Sequence, residues 1–206
     1  MVTEIRIYAE GGGDSADTKQ FLREGFGVFL KNLNSTARER RIRWHIVVCG
    51  GRAAALDAFR IAMHQHAQAF NILLVDSESA VQDSPWRHLQ RRGEWQHELP
   101  PDEHCHFMAQ ATEAWFVADV GALSQFYGHG FQDNAIPRNP DVEQIPKDDL
   151  EPSLKHASRN TTKGEYHKGR HAWKLLQIID PDKVRRAARH CERLFSTLAE
   201  KIAADC

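Results

Sequence analysis

Long apolar runs are missing from this chain. No stretch approaches the roughly 18 consecutive apolar residues that argue for a membrane-spanning helix, and the first residues show no basic region leading into a long apolar segment. Neither a membrane span nor a secretory leader is expected. Cysteine is scarce: Cys49, Cys105, Cys191 and Cys206 lie far apart and form no CxxC pair. That argues against a disulfide scaffold and fits a reducing cytoplasm. Neither GxGxxG nor a Walker Lys-Ser/Thr pair occurs where a nucleotide fold would need it, and there is no internal repeat or low-complexity tract. Net charge is also nearly absent, at -1, but the balance hides local asymmetry and says nothing about partners.

The 206 residues, 41% of them hydrophobic, suffice for one substantial core or a core with a small appendage. The first half alternates in period. Thr3 to Ala9, Ile42 to Val48 and Asn71 to Val75 are apolar or β-branched runs that read as strands. Between them, Phe21, Leu22, Phe26, Phe29 and Leu33 recur at helical spacing after the cap candidates Asp14 and Ser15, and Ala55, Phe59, Ala62, Met63 and His66 trace a second helix. A βαβαβ order with short links predicts an α/β fold with a parallel sheet flanked by helices.

Beyond the third run, Ser79 to Glu103 is polar and carries Pro85, Pro100 and Pro101, so it reads as a surface excursion. His104 to Ala109 reads as a fourth strand, and Thr112 as the cap of a helix that has Glu113 in its first turn. Gly128 to Pro152, rich in Pro, Asn and Asp, reads as loop, with a helical tail from about Pro152. The division expected is a core over 1–127 and a loop and helical C-terminal extension packed on it over 128–206. The last helix has a strong start in Asp180-Pro181-Asp182, and Val184, Ala188, Cys191, Phe195, Leu198 and Ile202 form its apolar stripe.

Carboxylates carry the chemistry. Asp76 and Glu78 are alternate residues leaving the third strand, and Glu10 ends the first, which suggests an acidic cluster at the carboxyl edge of the sheet, where open α/β folds place their sites. Oxygen-only ligands suit Mg2+ or Mn2+ rather than zinc. The bland alternative is that strand-end acids cap the next helix. Gly11, Gly12 and Gly13 fit either a tight strand-to-helix turn or the approach of a phosphate to backbone N–H groups. Arg52 fits a phosphate contact or a solvated helix start.

The ordered segments Tyr8-Ala9-Glu10-Gly11-Gly12-Gly13-Asp14, Cys49-Gly50-Gly51-Arg52, Leu73-Leu74-Val75-Asp76-Ser77-Glu78 and Glu113-Ala114-Trp115-Phe116-Val117-Ala118-Asp119 resemble a small Toprim-like family long described as a domain of unknown function. Its best understood relatives are the nuclease subunits of PARIS anti-phage systems, which work beside an ABC-type ATPase. His167 to Leu176 and Ile179-Asp180-Pro181 resemble the same family's C-terminal part, so the likeness spans nearly the whole chain. It implies a Toprim-like, Rossmannoid fold and metal-dependent phosphodiester chemistry, with Glu10 as the Toprim glutamate, Asp76 and Glu78 as the acidic pair and Glu113 as a further carboxylate. Glu78 departs from the wider pattern, which more often has Asp there.

The resemblance and the carboxylates together imply a cytoplasmic, metal-dependent endonuclease of phage defence, a toxin effector cutting RNA, including transfer RNA, or DNA. Glu10, Asp76, Glu78 and Glu113 would hold Mg2+ or Mn2+, and Lys168 would stabilise the scissile phosphate. The expected partners are an ABC-type ATPase and nucleic acid, with no membrane, and a homo-oligomer is left open. Lys155, Arg159, Lys163, Lys168, Arg170 and Lys174, opposed in their segment by Glu165, form the best candidate for a phosphate-binding surface, with Arg52 added from the core. Against that, such a stretch is by default a solvated face. The competing function is a non-catalytic adapter whose basic tail binds an ATPase or nucleic acid. His104 and His106 lack a second metal-spaced pair and read as ordinary strand residues. Trp115 and Phe116 read as packing groups, whereas Trp86, Trp95 and Trp173 lie in polar surroundings and suit stacking on bases or a partner.

Overall fold

The computed structural model describes residues 2–204. Four parallel strands, β1 (Glu4–Glu10), β2 (Arg43–Gly50), β3 (Phe70–Asp76) and β4 (Cys105–Met108), form one sheet in the order β2-β1-β3-β4. From β1 the chain crosses to one side to make β2, then returns past β1 to make β3. The carboxyl ends of β1 and β3 therefore flank the switch point, where the connecting segments diverge and leave a crevice.

Strand period sorts side chains onto two faces. Ile5, Ile7, Ala9, Ile72, Leu74 and Met108 point into one hydrophobic cluster, while Tyr8, Leu73, Val75, Cys105 and Phe107 point into another. With both faces covered, β3 is buried along almost its whole length, as a central parallel strand requires.

The first face is covered by α1 (Ala16–Phe29), α2 (Lys31–Glu39), α5 (Glu113–Val117), α6 (Val120–Tyr127), and the later helices α7 (Lys147–Ser158), α8 (Trp173–Leu176), α9 (Pro181–Ala187) and α10 (Arg189–Ala203). Trp115 stacks on Phe29 with ring centroids 5.0 Å apart, and Phe195 meets the same Phe29 edge-on at 5.6 Å. Trp115 and Phe116 are thus packing groups, as the sequence suggested. Residues after 127 share this cluster with β1 and β3, and Arg193 of α10 clamps β4 by donating to the carbonyl of Cys105.

The second face is covered by α3 (Arg52–Gln65) and α4 (Pro85–Arg91). Here the surface excursion expected for Ser79 to Glu103 is overturned. Pro85 opens α4 at a position that needs no N–H donor, and Val81, Trp86, Leu89 and Trp95 all sink into the core against Phe59. Trp86 and Trp95 are therefore not stacking surfaces for a base or partner. The loop expected over Gly128 to Pro152 is likewise broken by α7, which begins at Lys147 and carries Pro152 within it. The first long helix divides at Leu30 into α1 and α2, and the last at Ala188, whose extended backbone separates α9 from α10. Asp180 caps α9 as expected, accepting from the Asp182 N–H. Cys49, Cys105 and Cys191 are free thiols, and Cys206 lies outside the described residues. No helix of the described residues is long and apolar enough to cross a membrane.

Candidate functional site

Glu10 is the last residue of β1, and the chain then turns through three glycines with positive φ. Gly11 shows why: at φ +126° it bonds the carbonyl of Gly50 at 2.7 Å, and a Cβ there would sit 2.6 Å from a Leu22 methyl. The turn carries the backbone off the sheet and leaves the Glu10 side chain directed across to β3. Its Oε2 accepts the backbone N–H of Asp76 at 3.2 Å and Arg52 Nε at 3.1 Å.

Asp76 ends β3 and is held by Thr112. The Thr112 N–H and hydroxyl both donate to Asp76 Oδ1, at 2.9 and 3.1 Å, which leaves Oδ2 available to a further partner. Thr112 was expected to cap α5, but its side chain caps nothing and serves the acidic residue instead. Glu78 follows in the left-handed region at φ 67°, where a side chain other than Gly, Asn or Asp is uncommon. Its N–H is tied to the carbonyl of Gln110 at 2.9 Å.

These turns bring one carboxylate oxygen each of Glu10, Asp76 and Glu78 to within 4.8 Å of one another. Oxygens bound to one Mg2+ or Ca2+ at about 2.0 to 2.6 Å lie no more than about 5 Å apart, so the spacing and the all-oxygen donor set both fit a hard divalent cation. The same carboxylates also have internal partners. Arg52, with only 14% of its side chain exposed, lies 3.0 Å from Glu10 Oε2, 3.3 Å from Glu78 Oε1 and 2.7 Å from Glu94 Oε2, and it also donates to the carbonyl of Asp76. Lys147 pairs with Glu78. Binding of a cation would therefore exchange for some of these contacts. Arg52 is not the solvated helix-start residue that was its bland alternative.

The electrostatics are uneven. Burial, with Glu10 and Glu113 alongside, pushes the Asp76 carboxyl up to about 7. Burial also raises Glu10, against the pull of Arg52. At Glu78 burial acts in the same sense, but Lys147 and Arg52 outweigh it and hold the carboxyl below its ordinary value.

Glu113 stands beside this group as a buried residue of α5. It accepts the Tyr166 hydroxyl at 2.8 Å and lies 3.3 Å from Lys168 Nζ, so the set is completed from the C-terminal half of the chain. Burial, with Glu113 adjacent, raises the Tyr166 hydroxyl well above its ordinary value, so it remains a donor. Lys168 opens a π-helical turn, Lys168–Ala172, of a kind common at functional sites. Glu10, Asp76, Glu113 and Lys168 line one cleft of about 490 Å³, whose other walls include the glycine turn, Leu22 and Trp173. A second cleft, of about 360 Å³, adjoins it through Glu113 and Lys168 and is lined also by Lys147 and Lys155.

Of the expected basic contacts, Arg52 and Lys168 are at the carboxylates, and Lys155 reaches the second cleft while paired with Glu151 at 2.8 Å. Arg159, Lys163, Arg170 and Lys174 are exposed and line neither cleft. Asp119 is separate from the centre: it caps α6 and ties it to Lys183. His104 and His106 bond backbone carbonyls, those of Asn71 and Glu103. Thr112, Lys147 and Tyr166 were not legible as site residues. Lys147 lay in an expected loop, and a lone Tyr among charges carries no spacing signal.

A parallel α/β sheet with an acidic cluster at its switch point defines this protein's class. The chain belongs to the family described as Domain of unknown function (DUF4276), which matches residues 9–199. No curated protein and no solved structure matches it.

Proposed function

We propose that the protein is a metal-dependent nuclease of Toprim type that cleaves phosphodiester bonds of RNA or DNA. The observation that carries this reading is the approach of one carboxylate oxygen each of Glu10, Asp76 and Glu78 to within 4.8 Å of one another, with Glu10 and Asp76 lining a cleft that also holds Lys168. A divalent ion held by those three carboxylates would supply Lewis-acid stabilisation of the charge that builds on a phosphodiester during cleavage. The rest falls to the chain. Thr112 fixes the orientation of Asp76 by holding Oδ1. Tyr166 and Lys168 hold Glu113, and the half-exposed Lys168 ammonium can turn to a non-bridging phosphate oxygen, where a fixed positive charge favours the transition state. Lys147 and Lys155 lie in the adjoining cleft, along a route for the flanking backbone. The resemblance to Toprim nucleases supports a cytoplasmic defence effector working with an ABC-type ATPase.

The test is cleavage of total RNA and plasmid DNA with and without Mg2+ or Mn2+, with Glu10→Ala as control. Metal-dependent cutting that the variant loses is expected, and wild-type protein inert on both substrates, with its ATPase partner present, would reject the reading. One observation favours the adapter instead: Arg52 and Lys147 already neutralise the carboxylates without a metal. Calorimetry separates the two, because an adapter built on those ion pairs would bind no Mn2+.

A further inference from the structure

The cleft that holds the acidic centre is not polar throughout. Leu22, Ala172 and Trp173 line it together with Glu10, Asp76 and Lys168. Trp173 is partly exposed and is braced from behind: it stacks on Phe21 with centroids 4.9 Å apart and planes 18° from parallel. Gly25 lets α1 approach that closely, since a Cβ there would lie 2.8 Å from the Trp173 carbonyl. Trp173 directly follows the π-helical turn that begins at Lys168, so the aromatic ring and the ammonium are positioned by one short segment.

A phosphate-directed site alone needs no aromatic wall. We infer that this cleft takes a single unstacked nucleotide, its phosphate at Lys168 and the carboxylates and its base on Trp173, so that the substrate is single-stranded nucleic acid. The inference rests on the nuclease reading and adds to it the class of substrate. The cleft volume lies in the range of small-ligand sites and suits one nucleotide. Bases in a duplex are stacked on both faces and cannot present one to a side chain, whereas single strands and loops can. The exposed Lys174 ammonium, 5.1 Å from the Trp173 ring centroid, is the group that a base taking that face would displace.

The experiment uses the full chain as Glu10→Ala with Ca2+ in place of Mg2+, so that nothing is cut, with a single-stranded RNA or DNA 12-mer carrying 5-iodouracil, and the matching duplex. Expected are photocross-links on the peptide containing Trp173 and binding of the single strand about tenfold or more tighter than the duplex. Adding Trp173→Ala should weaken single-strand binding about tenfold, the loss of one base–aromatic stack, and Trp173→Phe should keep most of the affinity. Because Trp173 braces α1, each variant is first matched to its parent in thermal unfolding, and the cross-link needs no substitution at Trp173. Cross-links confined to other peptides, equal affinity for the duplex, or a folded Trp173→Ala variant with unchanged affinity would each overturn the inference. Metal-dependent cutting of duplex DNA alone would leave the nuclease standing and remove the single-strand assignment. Absence of both binding and wild-type cleavage would remove both.

Discussion

Asp76 must carry a negative charge to hold a cation, yet the folded protein resists that charge. Burial, with Glu10 and Glu113 alongside, pushes its carboxyl up to about 7 from the 3.8 of an unperturbed Asp. Below about pH 4 both folded and unfolded chains keep the proton and nothing is lost. Between about pH 4 and 7 the unfolded chain has released a proton that the folded protein still holds, so stability falls as pH rises across that window and levels off above it. That change is worth on the order of 4 kcal/mol at most. Asp76→Asn, which can still accept from Thr112 through Oδ1, is therefore expected to stabilise the metal-free protein at pH 8 by up to that amount, with the advantage vanishing towards pH 4. Urea unfolding in EDTA across this range checks it; a constant or inverted difference would contradict the assignment. Glu78 gives a second expectation. Both Glu78→Gly and Glu78→Ala lose the carboxylate, but only Gly adopts φ 67° without strain, so Gly should be the more stable by about 1 kcal/mol in the same assay.

At the scale of elements, period decided what could be read in advance. Each of the first three strands is a run of apolar or β-branched residues, and the structure places all of them within a residue or two of those bounds. The strand ends fixed Glu10, Asp76 and Glu78, so the heart of the acidic cluster was legible. The segment from Ser79 to Glu103 was not, because its anchors, Val81, Trp86, Leu89 and Trp95, follow no period and stand among charges. Composition counts residues equally, whereas burial weights a Trp far above the small polar residues around it. Trp86 has no exposed surface and meets both Phe59, at 5.5 Å, and Trp95, at 4.7 Å. Trp86→Ala is expected to cost about 3 to 5 kcal/mol, as for other buried aromatics. A solvent-exposed excursion would show a loss below about 0.5 kcal/mol in denaturant unfolding.

Across the whole molecule, the site belongs to no single stretch of sequence. The carboxylates come from β1, β3 and the turn after it, and the start of α5, while Lys147, Tyr166 and Lys168 come from segments more than 30 residues further along. Sequence cannot show that meeting, because it depends on how the later helices seat against α1, α5 and β4. The seating is apolar: Leu154, Leu175, Leu194 and Leu198 are fully buried in the same cluster as Ile7 and Ile72 of the sheet. Residues that share one core lose their neighbours together, so the chain should unfold in one transition, with calorimetric and van't Hoff enthalpies equal. Leu198→Ala tests this from a position remote from the carboxylates. It should lower stability by about 2 to 5 kcal/mol while the unfolding stays single and the denaturant slope is unchanged. If the acidic cluster binds Mn2+ as proposed, its affinity at a temperature where the variant is still folded should match the parent, since the substitution leaves Glu10, Asp76 and Glu78 in place. Two separated transitions, with the earlier one moved by Leu198→Ala and the later one unmoved, would show instead that the C-terminal helices and the sheet hold together independently, and that Tyr166 and Lys168 can leave the site while the sheet remains intact.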